Sequence, residues 1–339
     1  MVNVRNSSYR AGMEHTDELT RWLLDTDPAL RWQVQRDLLG ADEGTWRATR
    51  TLVATEGMGV ALLAEQDPDG QWAGGSYFPA AGHPTAWVKG QQGQPWTATT
   101  WSLKTLREWG LDAAALAGTA EKLDRNCRWD YDDLPYWAGE VDACINGFTL
   151  ATGTWLGADV SGLVRWFADH QLADGGWNCE WVEGSTRSSF HSTLNALEGL
   201  RYRQAHHDAD EGISAIRARG EQYLLERHLL NRASTGEQVG PWATRFGYPF
   251  RWRYNVLVAL DYFRRASELH GTAPDPRLAE AVEMVRGRRQ ADGTWLQEDH
   301  LPGQEWFVID VPVGRPSPWL TLYALRVLRW WDGESVDHR

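Results

Sequence analysis

The chain has 339 residues, a formal net charge of −12 and 42% hydrophobic residues, a composition typical of a globular protein with a large core. Its acidity and its lack of basic runs argue against nucleic acid as a partner, because phosphate backbones are bound by clustered Lys and Arg. No stretch approaches the roughly 18 uninterrupted apolar residues of a membrane span, so no integral membrane association is expected. The polar N-terminal residues show no secretory signal, and an odd number of cysteines is typical of free thiols. We therefore expect a cytoplasmic protein.

Apolar residues recur with helical periodicity, and polar helices alternate with apolar ones along the chain. The polar, outer helices are predicted near 15–25, 46–66, 113–125, 159–172, 210–229 and 277–290. The apolar, inner helices are predicted near 30–39, 97–109, 142–156, 189–202, 252–265 and 318–331. Six such hairpins are expected to close into an all-α (α/α)6 toroid, a double ring of helices around a central cavity. No linker divides the chain, so 1–339 is predicted to be one domain, with 1–13 a flexible N-terminus.

One turn motif recurs three times, with the pattern Gln/Arg-x-x-Asp-Gly-x-Trp at 66–72, 171–177 and 289–295. Each copy follows a predicted outer helix, and Asp-Gly is a strong turn signal because glycine readily adopts positive φ. We predict that each copy ends a helix and that Trp72, Trp177 and Trp295 are structural wedges between hairpins. The long loops at about 67–96, 173–188 and 291–317 are expected to surround the cavity mouth.

A carboxylate, a thiol and an imidazole stand at the starts of two successive inner helices, in Asp142-Ala143-Cys144 and at His191. Zinc is bound by these three donor types, and a catalytic zinc keeps a fourth position open. Cys179, between the two helices, could supply a fourth ligand, which would make the site structural. A buried polar cluster without a metal is the alternative interpretation. Zinc is the expected cofactor, with Asp142, Cys144, Cys179 and His191 as candidate ligands.

Tryptophan is unusually abundant, with 21 residues against 18 for phenylalanine and tyrosine together. Several tryptophans lie at inner-helix starts or in the long loops, where they are expected to face the cavity. Indole faces stabilise cations by up to about 2 kcal/mol when desolvated, and they also stack on sugar rings. For Arg253, an ion pair with an acidic loop is the alternative to substrate binding. The candidate substrate-binding residues are Trp96, Trp101, Trp137, Trp181, Trp252, Arg253, Trp306 and Trp319.

The repeated turn and the Asp-x-Cys tripeptide together resemble the α/α-toroid superfamily that contains protein prenyltransferase β subunits and squalene-hopene cyclases. The cyclases carry a repeated Gln-x-x-x-Gly-x-Trp turn. In the prenyltransferases, an Asp-x-Cys at the start of one inner helix and a His opening the next bind catalytic zinc, which implies this role for Asp142, Cys144 and His191. The chain departs from the prenyltransferases at 130–140, which contains no Lys or Arg that could hold a diphosphate.

The segment 130–133 reads Asp-Tyr-Asp-Asp, which is similar to the motif with which class II terpene cyclases protonate an alkene or epoxide. Clustered carboxylates raise one another's pKa and can keep one of them protonated. Pro135 separates this segment from the next inner helix, however, so a solvated loop is the favoured interpretation of Asp132. Glu140 and Asp142 occupy the better position for a proton donor. The candidate catalytic residues are Glu140, Asp142, Asp132 and Tyr254.

The expected function is that of a zinc-dependent enzyme of this superfamily, which acts on a small apolar or isoprenoid-like molecule in a Trp-lined cavity without binding a diphosphate. Zinc would act as a Lewis acid or lower the pKa of a bound thiol or water. Three alternatives stay open. They are a metal-independent, acid-initiated terpene cyclase that uses Glu140, Asp142 or Asp132, a carbohydrate-active α/α-barrel hydrolase or lyase with paired carboxylates, and a non-catalytic ligand-binding protein.

Overall fold

The structure is a computed structural model that describes residues 18–207 and 212–334, so the segment predicted to be flexible, 1–13, lies outside it. The protein belongs to the all-α class, as predicted. Helical residues 18–24 precede twelve α-helices, which are α1 (Pro28–Asp37), α2 (Glu43–Thr51), α3 (Gly57–Ala64), α4 (Thr99–Glu108), α5 (Thr119–Asn126), α6 (Ala143–Leu156), α7 (Ser161–Asp169), α8 (Phe190–His206), α9 (Ile213–Leu225), α10 (Val256–His270), α11 (Ala279–Gly287) and α12 (Pro318–Asp332). Strand β1 (Trp295–Leu296) pairs antiparallel with β2 (Pro316–Ser317). Of the described helices, none combines the length and the apolarity needed to cross a bilayer.

Helices occur at all twelve predicted positions, with ends that differ by a few residues. The inner positions hold α1, α4, α6, α8, α10 and α12, whose residues are mostly buried; in α6, for example, the whole run 143–153 is buried. The outer helices bury far less, and α2 has no buried residue. A helix that is apolar around its whole circumference is buried in the interior. The alternation of polar and apolar helices along the sequence therefore corresponds to the alternation of exposed and buried helices in the structure.

Each inner helix contacts the next one along the chain from α4 to α12, and α12 contacts α1. Between α1 and α4, the Trp32 indole Nε1–H donates to the Trp109 carbonyl oxygen at 2.8 Å. Between α12 and α1, Arg326 Nη1 donates to Gln33 Oε1 at 3.2 Å. The first and last helices are therefore joined by polar contacts between buried side chains.

Helices α6 and α8 approach each other closely, at a contact made by two glycines. A Cβ atom added to Gly147 would lie 2.2 Å from the Asn195 carbonyl oxygen, and one added to Gly199 would lie 2.4 Å from the Gly147 carbonyl oxygen. No other residue type fits at that distance without moving a backbone. The contact sets the spacing between the two helices that carry Cys144 and His191.

The three repeated turns have the same geometry in each copy. Their tryptophans are fully buried, and Gly70, Gly175 and Gly293 have φ of 94°, 95° and 85°. Each indole N–H donates to a carbonyl of the preceding outer helix at 2.8–2.9 Å, and each tryptophan backbone N–H donates to a threonine hydroxyl of the following inner helix at 3.0–3.1 Å. The threonines are Thr99, Thr193 and Thr321. Each tryptophan thus joins its own hairpin, in agreement with its predicted structural role.

A buried ionic network holds α10 and α12 together. The Asp261 carboxylate, which is fully buried, accepts from Arg264 Nη2 at 2.9 Å and from Arg326 Nη2 at 3.0 Å, and it pairs with Arg265 at 3.0 Å. Burial alone would raise the pKa of Asp261, but the three guanidinium groups hold it well below its usual range. Each charge is paired, which is the condition for burying an ion.

Candidate functional site

Asp142 and Cys144, two residues apart at the start of α6, lie near Cys179, which comes from a later part of the chain. Asp142 immediately precedes α6, and its side chain makes no capping hydrogen bond. Cys144 is the second residue of the helix, and Cys179 begins the short helical turn Cys179–Glu183. The Cys179 thiol is close enough to the Asp142 carboxyl group and to the Cys144 thiol to interact with both electrostatically. We call Asp142, Cys144 and Cys179 the thiol cluster.

Helix α8 supplies two polar side chains that position the sulfur atoms. Ser192 Oγ donates to Cys179 Sγ at 3.3 Å and accepts from the Cys179 backbone N–H at 3.1 Å. Asn195 Nδ2 donates to Cys144 Sγ at 3.4 Å and to the Trp252 carbonyl oxygen at 2.8 Å. Ser192 and Asn195 are both buried. The thiol cluster is therefore fixed by contacts among α6, α8 and the loop before α10.

Aromatic side chains enclose the thiol cluster. Cys144 belongs to a compact apolar group whose aromatic members, here called the aromatic cluster, are Tyr77, Trp96, Trp101, Phe148 and Trp252. Within it, the Trp101 ring centroid lies 4.9 Å from those of Tyr77 and Trp96 and 5.5 Å from that of Phe148. Three of the predicted substrate-binding tryptophans therefore lie at the thiol cluster.

The pKa values of the two thiols are shifted in opposite directions. The hydrogen bond from Cys144 lowers the pKa of Cys179, while the same bond, together with burial, raises the pKa of Cys144 well above its usual value. Burial also raises the pKa of Asp142, although its contact with Cys179 opposes that shift. Cys179 is therefore the sulfur that ionises first. A thiolate is both the nucleophilic and the metal-binding form of cysteine.

One ring nitrogen of His191 is already occupied by a hydrogen bond in this structure. The Tyr254 backbone N–H donates to His191 Nδ1 at 2.8 Å, so the proton of the neutral ring resides on Nε2. Burial, with Arg253 nearby, lowers the pKa of His191 to about 4, so the ring is neutral at pH 7. A metal-binding imidazole needs one free lone pair while its other nitrogen donates a hydrogen bond. In this structure Nδ1 is occupied by the Tyr254 N–H, so His191 could bind a metal only after exchanging this hydrogen bond, and its metal role stays a prediction.

The thiol cluster fits zinc in donor chemistry, since two sulfur atoms and one carboxylate are three of the four ligands that a zinc ion takes. In geometry the fit is incomplete. Within residues 18–207 and 212–334, no three His, Cys, Asp or Glu side chains are arranged as a ready metal site. Asp142, Cys144 and Cys179 would have to move closer together to hold an ion.

The other candidate catalytic residues are in different surroundings. Glu140 is buried, and burial together with the nearby Asp142 raises its pKa to about 7. Asp132 is exposed on a turn, as expected of a solvated loop. The Tyr254 hydroxyl is fully buried and donates to the Leu229 carbonyl oxygen at 2.8 Å. Glu140 is close enough to Asp142 of the thiol cluster for the two carboxyl groups to interact.

The remaining predicted tryptophans have separate packing partners. The Trp181 indole N–H donates to the Val141 carbonyl oxygen at 2.7 Å and so holds the residue before Asp142. The indole N–H groups of Trp137 and Trp306 donate to the carbonyl oxygens of Ala120 and Thr97. Trp319 is buried and stacks on Tyr248 with ring centroids 4.5 Å apart.

The inner helices enclose a cavity of about 70 Å³ that contains no tryptophan in its lining. Its walls carry charged side chains, including Lys104, Arg107 and Glu198, besides Phe148, Phe250 and Tyr323. The expectation of a deep Trp-lined cavity is therefore wrong for this space, because the indoles pack on one another or on carbonyl groups. Arg253 reaches the cavity wall but is paired with Asp299 at 2.7 Å, in agreement with its alternative interpretation.

Sequence reasoning missed Ser192, Asn195 and Tyr77. Serine and asparagine inside a predicted apolar helix carried a usable signal, because a buried polar side chain needs a partner. Tyr77 lay in a long loop, where nothing in the sequence linked it to α6. In the structure, burial and the nearby Cys144 thiol raise the pKa of the Tyr77 hydroxyl well above its usual range.

Comparison of the chain with models of known protein families finds no match, and no curated protein matches it either. The resemblance to the α/α-toroid superfamily therefore depends on the quoted motifs alone.

Proposed function

We propose that the chain is an (α/α)6 toroid and that the thiol cluster is the zinc site of an enzyme acting on an apolar, isoprenoid-like molecule. The contacts that run from α4 to α12 and return to α1 support the closed ring. The three repeated turns, each joining an outer helix to the following inner helix, support a ring built from equivalent hairpins.

The observation that carries the enzymatic proposal is the proximity of Asp142, Cys144 and Cys179 to one another beside the aromatic cluster. Zinc held by these three residues would supply a Lewis acid, or a bound water or thiol of lowered pKa. Asp142 is available because it caps no backbone N–H, and Cys179 is the thiol that ionises more readily. Ser192 and Asn195 orient the two sulfur atoms.

The aromatic cluster suits an apolar substrate that develops positive charge. Trp96 and Trp101 are almost completely buried, and desolvated indole faces attract cations by about 2 kcal/mol. They also exclude water, which would otherwise capture a reactive cation. The side chains of the cluster would have to separate to admit a substrate.

Glu140 favours a second candidate, the metal-independent acid-initiated cyclase. Its carboxyl group has a pKa of about 7, so a large fraction is protonated at neutral pH, as a general acid requires. This candidate needs Glu140 as the proton donor and no metal.

Zinc measured per chain on protein purified without a metal-affinity column tests the proposal. We expect about one zinc per chain in the wild type, in keeping with a single three-ligand site. Cys144→Ser and Cys179→Ser are expected to lose it, because a hydroxyl is a poor zinc ligand. His191→Ala is expected to retain it.

Cys127→Ser is the matched control, since Cys127 is buried and lies in the main core, outside the apolar group that contains Cys144. It should keep the wild-type zinc content. A wild type that binds no zinc even after dialysis against zinc salts would refute the metal site and leave the Glu140 acid as the better candidate.

A further inference from the structure

The cavity between the inner helices has a size and a lining that suit a small anion. It is bounded by α4, α6, α8, α10 and α12, with a volume of about 70 Å³. A single water needs roughly 10–15 Å³ of such space. The cavity therefore has room for several waters or one small oxyanion group, and any apolar chain attached to that group would have to lie outside this space.

The lining has more cations than carboxylates. The cationic residues are Lys104, Arg107, Arg251, Arg253 and Arg265, and the carboxylates are Glu108 and Glu198. Four of these cations have acidic partners, in the pairs Lys104–Glu108, Arg251–Glu305, Arg253–Asp299 and Arg265–Glu198. Glu198 is shared with Arg201, at 3.4 Å.

Arg107 is the cation in this lining that forms no salt bridge with a described carboxylate, although its charge helps to lower the pKa of Glu198, after those of Arg265 and Arg201. It lies in the last turn of α4 and is partly buried. Among the residues that the structure describes, no carboxylate forms a salt bridge with it, and its buried Nε has no hydrogen-bond partner. Its guanidinium carbon lies 4.6 Å from the centre of the Tyr202 ring, which covers one face, and the side chain lines the cavity.

Lys104 adds a second cation on the same side of α4, one turn before Arg107. Burial, only partly offset by Glu108, lowers the pKa of Lys104, and the Arg107 charge lowers it further. Two cations this close in a largely enclosed space repel each other, because the effective dielectric constant is far below that of water. An anion between them would remove that repulsion.

We propose that this cavity is a binding site for one oxyanion group, a phosphate, sulfate or carboxylate, held by Arg107 with Lys104 beside it. The planar guanidinium fork of Arg107 matches two oxygen atoms of such a group. The site depends on neither zinc nor the thiol cluster.

The oxyanion has two possible sources, a free ion or the head group of a larger apolar molecule. Lys104 Nζ lies 5.6 Å from the centre of the Phe148 ring, and Phe148 belongs to the aromatic cluster. A head group at Arg107 would therefore place an attached chain next to Phe148. Inorganic phosphate and octyl phosphate distinguish the two sources, since octyl phosphate should bind more tightly only if the chain is accommodated.

Thermal unfolding of the full chain, titrated with inorganic phosphate at constant ionic strength in chloride, tests the site. We expect a saturable rise in Tm for the wild type. Arg107→Gln should weaken the apparent phosphate affinity at least about tenfold, because hydrogen bonds to a charged donor are lost. Without phosphate, Arg107→Gln should melt at or above the wild-type Tm, since it relieves the repulsion of Lys104.

Arg47→Gln is the matched control because Arg47 is exposed and paired with Glu43; its phosphate response should equal that of the wild type. Arg107→Lys keeps the positive charge but removes the guanidinium fork, so we expect its phosphate affinity to lie between those of the wild type and Arg107→Gln. It provides a second test if Arg107→Gln folds poorly. An equal phosphate response in wild type and both Arg107 variants, which general salt effects would give, would overturn the proposal. So would the lack of a saturable response in the wild type.

Discussion

Two carboxyl groups that are two residues apart at the start of α6 have different surroundings. Glu140 is 8% exposed, and its Oε2 accepts from the Val141 backbone N–H at 2.7 Å. Burial and the nearby Asp142 charge raise the pKa of Glu140 to about 7. Since its folded-state pKa exceeds the unfolded value of about 4.3, protonation of Glu140 favours the folded protein.

The stability contribution of Glu140 should therefore be present below about pH 4 and be lost as the pH rises to 7. Glu140→Gln removes the charge but keeps the shape, so we expect it to be more stable than the wild type at pH 8, by at most about 3–4 kcal/mol for a pKa raised from about 4.3 to about 7. At pH 4 the two proteins should be nearly equal. Urea unfolding at both pH values, with a chelator present, measures this difference.

Val141→Ala is the control for a substitution in the same loop, because it leaves the Glu140 carboxyl group in place. The pH dependence of its unfolding free energy should equal that of the wild type. Identical pH dependence in Glu140→Gln and the wild type would show that Glu140 is ionised normally in the folded state.

The sequence was sufficient to predict that Asp142 and Cys144 lie at a helix start and Cys179 in the central turn, while their role as metal ligands stays a prediction. It was insufficient for His191. The nitrogen that carries its proton is set by the Tyr254 backbone N–H, 63 positions along the chain. A hydrogen bond of that range depends on how α8 and α10 pack, which residue types alone do not encode.

At the scale of elements, the glycine contact between α6 and α8 links packing to the thiol cluster. Cys144 lies on α6, while Ser192 and Asn195 lie on α8. The spacing of these helices therefore sets the distances between the sulfur atoms and their polar partners. The periodicity of apolar residues predicted both helices, but glycine has no side-chain signal, so the close contact was not predictable.

Gly147→Ala should separate the two helices, because its Cβ would lie 2.2 Å from the Asn195 carbonyl oxygen. Overpacking of this kind costs about 1–3 kcal/mol. We expect a lower free energy of unfolding together with a lower zinc affinity, measured by denaturation and by competition with a chromophoric chelator.

Gly162→Ala is the matched control, since a Cβ at Gly162 in α7 meets nothing within 4 Å. It should be neutral or slightly stabilising, because alanine favours a helix. If Gly147→Ala also left stability and zinc affinity unchanged, the contact would not control the site.

At the scale of the whole molecule, the interior combines an apolar core with buried ion pairs. The inner helices were predicted from their apolar residues, and their positions agree with the structure. In the sequence, the arginines of these helices have the pattern of solvent-exposed residues. The sequence therefore did not predict that Arg264 and Arg326 both donate hydrogen bonds to Asp261. The charged lining of the cavity could not be predicted for the same reason, since a single arginine in a helix does not reveal which side faces inward.

Asp261→Asn should destabilise the protein by about 3–5 kcal/mol, because it leaves buried guanidinium groups without their counter-charge. The pKa of Asp261 is depressed, so its contribution should be complete above about pH 4 and be lost as the pH falls further. The variant should therefore lose less additional stability between pH 5 and pH 3 than the wild type. Denaturant unfolding across this pH range measures both effects.

Asp332→Asn provides the comparison, since Asp332 forms a partly exposed pair with Arg286 at 2.9 Å. Such pairs contribute less than about 1 kcal/mol. Equal losses in the two variants would mean that the Asp261 network is no more important than a surface ion pair.

The contact between α12 and α1 also constrains the order of folding during synthesis. Arg326 and its partner Gln33 are 293 positions apart, and contacts of such long range form late because closing the intervening chain costs entropy. On the ribosome, the early hairpins emerge first, but the surface of α1 that receives Arg326 stays open until α12 has been made. A stalled nascent chain would therefore leave that polar surface of α1 without its partner.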